Sequence, residues 1–73
     1  MIQNIEELGK AIRERRVDLR LSQKALAEKV GTMQGHLGAW ERGEVAPTIT
    51  SLLRLSAELG SFTIGAPVEG GSL

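Results

Sequence analysis

The sequence predicts an all-α domain of four to five short helices ending in a short β-strand, and three observations predict it. Ser22 to Gly43, SQKALAEKVGTMQGHLGAWERG, holds two short helical patterns separated by a break at Gly31. On either side stands a longer segment with apolar residues at helical spacing, opened by a side chain suited to cap it: Asn4 before the first and Thr48 before the last. Beyond Gly60 the period changes, because Phe62, Ile64 and Ala66 alternate with small or polar residues as a half-buried strand does.

In the first helix Asn4 is followed by Ile5, Glu6 and Glu7, which puts Glu at the third helical position. That is a capping-box arrangement, and it also places negative charge at the positive end of the helix dipole. Ile5, Leu8, Ile12 and Leu19 then make a stripe expected to be buried, running to about Leu19. Arg16 falls on that stripe one turn after Ile12, where an apolar residue is expected. A charge there needs a partner, unless its long stem lets the guanidinium snorkel to solvent.

Leu21 leads into the second helix and is expected in the core. Ser22 is its N-cap, and Leu26, Ala27 and Val30 share one face over about two turns. Gly31 supplies the left-handed backbone that stops a helix without steric penalty. The apolar pattern resumes at Leu37 and Trp40, and Gly43 ends a third helix of about Gln34 to Arg42. Trp40 is the only Trp and lies at core spacing from Leu37, which reads as packing rather than base stacking.

A loop of residues 44–47 ends in Pro47, and Thr48 caps the pattern Ile49, Leu52, Leu53, Leu55, Ser56, Leu59, closed by Gly60. This helix has more large apolar residues than one intramolecular face needs. Leu52, Leu55 and Leu59 lie along one side, with Ile49, Leu53 and Ala57 partly on another. One side is expected to complete the core and the other to contribute to a dimer seam; a simple buried helix is the alternative.

The alternation from Ser61 to Ala66, stopped by Pro67, reads as a strand that cannot satisfy its own backbone. No partner strand is visible in the sequence. Two copies pairing across a twofold would supply one; a frayed extended tail is the other reading. The chain therefore divides into a helix-turn-helix domain over residues 1–60, a dimerisation strand over 61–68, and a tail, EGGSL, over 69–73 that lacks core-forming content and is expected to be disordered.

A chain of 73 residues allows one domain, and at that size only about 60% of the unfolded surface is buried, so stability is marginal and favours dimerisation. No cysteine is present to staple the fold, and one His without Cys cannot close a zinc site. No cofactor is implied. MIQNIEELGKAIRERR has no apolar run of signal-peptide length. Nothing approaches the roughly 20 apolar residues of a membrane span, so a cytoplasmic location without membrane contact is expected.

Net charge is zero, from nine basic and nine acidic residues, which argues against a strongly electrostatic nucleic-acid binder. The charge is unevenly spread: eight Lys/Arg against six Asp/Glu up to Gly43, and one against three after it. A basic first part can touch phosphates while the acidic remainder faces elsewhere. An enzyme is not expected, since no paired carboxylates, Ser/His/Asp set or Gly-rich phosphate loop stands at a useful spacing.

The run LSQKALAEKVG, followed by WERG and then Pro47, resembles the helix-turn-helix of the Cro/C1-type (XRE) repressor family, over about Leu8 to Gly60. The resemblance implies a lambda-repressor-like bundle that places its third helix in the DNA major groove, usually as a dimer. At the matching positions it implies groove-facing residues Met33, Gln34, Gly35, His36, Gly38 and Ala39, with Leu37 and Trp40 facing the core. It implies a phosphate contact and a bracing role for Gln23, a phosphate contact at Arg42, and a structural ion pair between Arg16 and Glu41. Lys24 beside Gln23 offers a second phosphate donor, with Lys10 and Arg13 as further candidates.

Each of these roles has a plainer counterpart. Gln23 could satisfy only local helix-end groups, His36 could simply be solvated, and Arg42 could favour the helix C-terminus for its dipole alone. The chain also departs from the family. Met33 stands where a Ser or Thr cap is common, and Gly35 and Ala39 stand where long polar readers are common. Gln34 can still make a bidentate pair with adenine, and His36 one hydrogen bond set by its tautomer. Gly35 and Gly38 each cost about 1 kcal/mol relative to Ala inside a helix. Close backbone approach to DNA or to a partner would offset that cost; weakened sequence reading would also explain them.

The terminal strand is similar to that of HipB-type antitoxins, which adds Phe62 and Ile64 to Leu55 and Leu59 of the last helix as the expected dimerisation residues. Two functions follow. One is a dimeric, sequence-specific, repressor-type regulator on double-stranded DNA, reading an inverted repeat with half-sites about 34 Å apart. The other is an antitoxin-type interaction module that neutralises a toxin protein and autoregulates with weak DNA readout.

Overall fold

Four helices run through the computed structural model, which describes residues 1–65: α1 (Ile5–Asp18), α2 (Gln23–Val30), α3 (Gln34–Glu41) and α4 (Ile49–Leu59). Three of them start on a side-chain cap. Asn4 accepts from the Glu7 N–H at 2.8 Å, Ser22 from the Ala25 N–H at 3.0 Å and Thr48 from the Ser51 N–H at 3.1 Å. Glu7 returns the favour one residue earlier than the predicted box, taking the Gln3 N–H at 2.9 Å. Met33 opens α3 with no side-chain cap.

Helix ends are closed as deliberately as the starts. After α1 the chain passes through Arg20 at φ 59°, and the N–H groups of Arg20 and Leu21 return to the Val17 and Arg16 carbonyls at 2.9 and 3.0 Å. After α3 the same closure uses Gly43 at φ 72°, with Gly43 N–H on Trp40 and Glu44 N–H on Ala39, both at 3.0 Å. Arginines from other helices reach three further carbonyls at or just beyond helix ends. Arg54 donates to Val30 O at 3.2 Å behind α2. Arg15 donates to Gly60 O at 2.8 Å and to Ser61 O behind α4, with its guanidinium 4.2 Å over the Phe62 ring.

Leu8, Ile12, Leu26, Ala27, Val30, Leu37, Trp40, Leu55 and Leu59 form one core, against which Ile2, Leu21, Leu52 and Phe62 pack. Helices α1 and α2 each pack on both α3 and α4. Gly9 sets how closely α1 approaches α3, because a Cβ there would collide with the backbone carbonyl oxygens of Trp40 and Glu41.

A carboxylate joins three of the helices. Glu41, 3% exposed, accepts from Arg16 Nε at 2.6 Å, from Arg16 Nη2 at 3.1 Å and from Gln23 Nε2 at 3.0 Å. The remaining Arg16 nitrogen, Nη1, donates to Leu21 O at 2.8 Å in the turn between α1 and α2. Arg16 thus lies folded inward, 12% exposed, rather than snorkelling.

The structure corrects several expectations. Ile5 and Leu19 are exposed, because they sit at the two ends of α1 where the core has already tapered. Leu55 and Leu59 are not at a dimer seam: both are in the core, 0% and 9% exposed, since that side of α4 meets α1 and α2. The uncovered side of α4 carries Ile49 and Leu53, 73% and 66% exposed. Residues 61–65 show one isolated bridge rather than the expected strand. Ile64 makes a single parallel bridge with Ile2 of the same chain, with Ile2 N–H on Thr63 O at 2.9 Å and Gly65 N–H on Ile2 O at 2.6 Å. Phe62 packs against the core and Ile64 is half exposed beside that bridge. The rest of the proposed strand, 66–68, and the tail, 69–73, lie outside the described residues. Among the described residues no helix is long and apolar enough to cross a membrane.

Glu41→Gln leaves the Arg16 guanidinium enclosed without its counter-charge, a change that costs about 3 kcal/mol in buried pairs. In a domain of this size each kcal/mol moves the melting midpoint by about 4–8 °C. Thermal unfolding followed by circular dichroism should therefore show a drop of more than about 10 °C; an unchanged midpoint would show that the pair does not hold the fold.

Candidate nucleic-acid interface

Helices α2 and α3 are joined by Gly31, Thr32 and Met33. Gly31 adopts φ 82°, ψ 34°, and both its own N–H and that of Thr32 return to Ala27 O at 2.9 Å. Leu26, Ala27 and Val30 from α2 and Leu37 and Trp40 from α3 point inward from this turn. What remains outside is the opposite side of α3 and the start of α2.

On that outer side Gln34, Gly35 and His36 are exposed, Ala39 is half-buried, and Met33 is 69% exposed just before the helix. His36 Nδ1 lies 3.4 Å from Thr32 Oγ1, a long contact that leaves the ring on the surface. The two glycines of α3 stand in opposite surroundings. A Cβ at Gly35 would meet nothing within 4 Å, so nothing in the chain's own packing calls for glycine there. A Cβ at Gly38 would come to 3.0 Å from Arg42 Nη1 and 3.7 Å from Gln23 Nε2. Gly38 is buried under those two side chains, so its predicted place on the open groove face is corrected: Arg42 covers the position instead.

Gln23 is half-buried in the first turn of α2, its amide turned to Glu41. Lys24 beside it is exposed, as are Lys10 and Arg13 on α1. Arg42 is engaged by an acidic neighbour: its Nε and Nη2 donate to the two oxygens of Glu44 at 2.9 and 3.2 Å. The hydrogen bond and the adjacent positive charge hold the Glu44 carboxyl below the usual carboxylate range, and the same pairing raises Arg42. Both side chains are more than half exposed, 59% and 58%, so salt screens the pair.

Sequence reasoning missed Glu44, Arg15 and Arg54. Glu44 carries only a spacing of two from Arg42, across a helix stop. Arg15 and Arg54 act on the ends of helices other than their own, which no local pattern reveals. Among the described residues no group of three or more His, Cys, Asp or Glu could hold a metal ion. Separately, Ile2, Ile5, Leu8, Ala46, Pro47 and Leu52 line an open apolar groove of about 240 Å³.

Comparison with known proteins agrees with this geometry. The chain is 39% identical over 56 residues to the repressor protein C2 of Salmonella phage P22, an alignment covering 77% of this chain and 26% of that protein. The chain thus spans about a quarter of the repressor's length. Among solved structures, the crystal structure of the restriction-modification controller protein C.AhdI from Aeromonas hydrophila superimposes with a TM-score of 0.72 at 31% identity, covering 75% of this chain and 83% of that one. Residues 12–64 match the family described as Helix-turn-helix. The chain belongs to that family, in its Cro/C1-type (XRE) branch of DNA-binding transcription regulators.

Proposed function

We propose that the chain is a repressor-type regulator that binds an inverted-repeat operator as a homodimer, with α3 laid in the major groove. The observation that carries this reading is the asymmetry of α3: its inner side is locked through Glu41 to α1 and α2, while Gln34, Gly35 and His36 stand open, and Lys24 in the first turn of α2 is exposed as well. A rigid helix with one free face, flanked by a cation, suits groove insertion.

The roles follow from the chemistry of each group. Gln34 pairs with an adenine edge, and His36 gives one hydrogen bond to a base or phosphate. Met33 and Ala39 offer apolar contact to thymine methyls. Gly35 admits the duplex close to the backbone. Lys24 and Arg42 meet phosphates, and Gln23 keeps α3 at its angle. With so few polar readers, specificity leans on phosphate positioning and DNA shape. Dimerisation runs through the apolar side of α4, where Ile49 and Leu53 lie uncovered, with Val45 in the preceding loop 54% exposed. An antitoxin-type role is the second reading: zero net charge and the sparse polar groups of α3 suit it, whereas the terminal strand it also drew on amounts to a single bridge between Ile64 and Ile2.

Gel-shift titration against duplexes selected from a random pool tests the reading directly: enriched inverted repeats with half-sites about 34 Å apart are expected, and no preference over random duplex at moderate salt would end it. Lys24→Gln should weaken binding to all duplexes alike and flatten the log–log salt dependence by about 0.9, the share of one phosphate; an unchanged slope would remove Lys24 from the interface. Leu53→Glu should raise the dimer dissociation constant by about tenfold or more in sedimentation equilibrium, as for a buried apolar anchor. Unaltered self-association would place the seam elsewhere.

A further inference from the structure

Glu44 lies next to the interface yet has the sign of charge that a DNA-binding surface should avoid, and its placement is not accidental to the fold. The closure of α3 fixes its backbone: Gly43 turns at φ 72° and the Glu44 N–H is held by Ala39 O at 3.0 Å. From there each carboxylate oxygen takes one N–H of Arg42, Nε at 2.9 Å and Nη2 at 3.2 Å. This two-pronged grip is the one by which a guanidinium also holds phosphate oxygens. The third nitrogen, Nη1, lies across Gly38, 3.0 Å from where a Cβ would stand, with no acceptor among the described residues. Glycine at 38 therefore supplies the space in which the guanidinium lies along the outer side of α3.

We propose that Glu44 is a positioning residue that holds Arg42 over Gly38 in the free protein as a stand-in for a DNA phosphate, and that Arg42 passes from this carboxylate to a phosphate oxygen when duplex binds. The proposal rests on the DNA-binding reading and deepens it. The exchange needs a partner that orients without trapping. An exposed pair in water meets that need, since its strength is small and screened, whereas the phosphate brings the same geometry together with counterion release. Glu44 thereby withholds one cation from non-specific contact until a duplex is near enough to compete for it. The carboxylate that parts from Arg42 is then left facing a polyanion, so duplex binding is weaker with Glu44 present than without it.

A double-mutant cycle tests this with wild type, Arg42→Gln, Glu44→Gln and the double variant, titrated at low salt with a labelled 30-base-pair duplex of mixed sequence and read by fluorescence anisotropy. Glu44→Gln should tighten binding about two- to fivefold when Arg42 is present, the range expected for releasing an exposed ion pair. In the Arg42→Gln background only the bare repulsion between Glu44 and the duplex is relieved, so the gain should be clearly smaller there. An equal gain in both backgrounds would overturn the proposal by showing that Glu44 repels phosphates on its own; so would no gain in either. Exchange of the Arg42 Nε proton in the free protein, followed by NMR, is a readout independent of DNA: it should speed up in Glu44→Gln, and an unaltered rate overturns the pairing. A wild type that binds no duplex while its Arg42 Nε proton is protected by Glu44 would overturn the DNA-binding reading, and with it the transfer step, leaving only the pairing itself.

Discussion

The carboxylate of Glu41 is what α3 depends on. An eight-residue helix with no side-chain cap and two glycines is far below the length at which helices persist in water, so α3 exists because other elements hold it. Leu37 and Trp40 supply the apolar part of that hold. Glu41 supplies direction. A negative charge at the C-terminal end of a helix is unfavourable to its own dipole, and here the local cost is offset by three N–H donors from Arg16 and Gln23. Arg16 carries the link on to Leu21, so the end of α1, the turn after it, the start of α2 and the end of α3 become one unit. The orientation of α3 in the fold is set by that unit, with Gly9 fixing how near α1 stands.

The same accounting explains how a chain with no net charge can approach a polyanion. Half of its six arginines bond within the fold. Arg16 neutralises Glu41, and Arg15 and Arg54 close helix ends that would otherwise leave carbonyls unpaired. Arg42 is balanced by Glu44. The exposed cations nearest the interface are then few, Lys24 foremost, and long-range attraction is correspondingly weak. In the complex we propose, such a surface gains its binding from contacts at close range, where backbone, glutamine amide and guanidinium act on groups within hydrogen-bond reach.

Much of this was legible in the sequence where the signal is local. Asn4, Ser22 and Thr48 cap the helices that follow them, and Gly31 and Gly43 end helices at positive φ. These are interactions within four or five residues, and composition at the helix ends encodes them. The parts that were not legible depend on which element lies opposite. Helix α4 has apolar residues on both sides, at 49 and 53 and at 52, 55 and 59, and its own pattern cannot say which side the other helices cover. Ile2 shows no alternation that would mark it as the partner of Ile64. Arg15 and Arg54 find carbonyls 45 and 24 positions away.

The two glycines of α3 make the same point most sharply, because in sequence they are indistinguishable, three residues apart on a short helix. In the fold they serve opposite ends. At Gly38 the chain itself closes in: the Arg42 guanidinium lies 3.0 Å from where a Cβ would stand and the Gln23 amide 3.7 Å, so a methyl group would displace only the exposed end of Arg42. Gly35 is surrounded by nothing from its own chain. Alanine there would cost no packing and would stabilise the helix by about 1 kcal/mol, so an offset for the glycine, where there is one, comes from outside the domain. A body that must approach the backbone of α3 more closely than a methyl group permits fits that requirement. A duplex lying along the exposed side of this helix is such a body, and the close approach it needs is offered at one end of α3 by the missing side chain of Gly35 and at the other by a guanidinium free to move off Gly38.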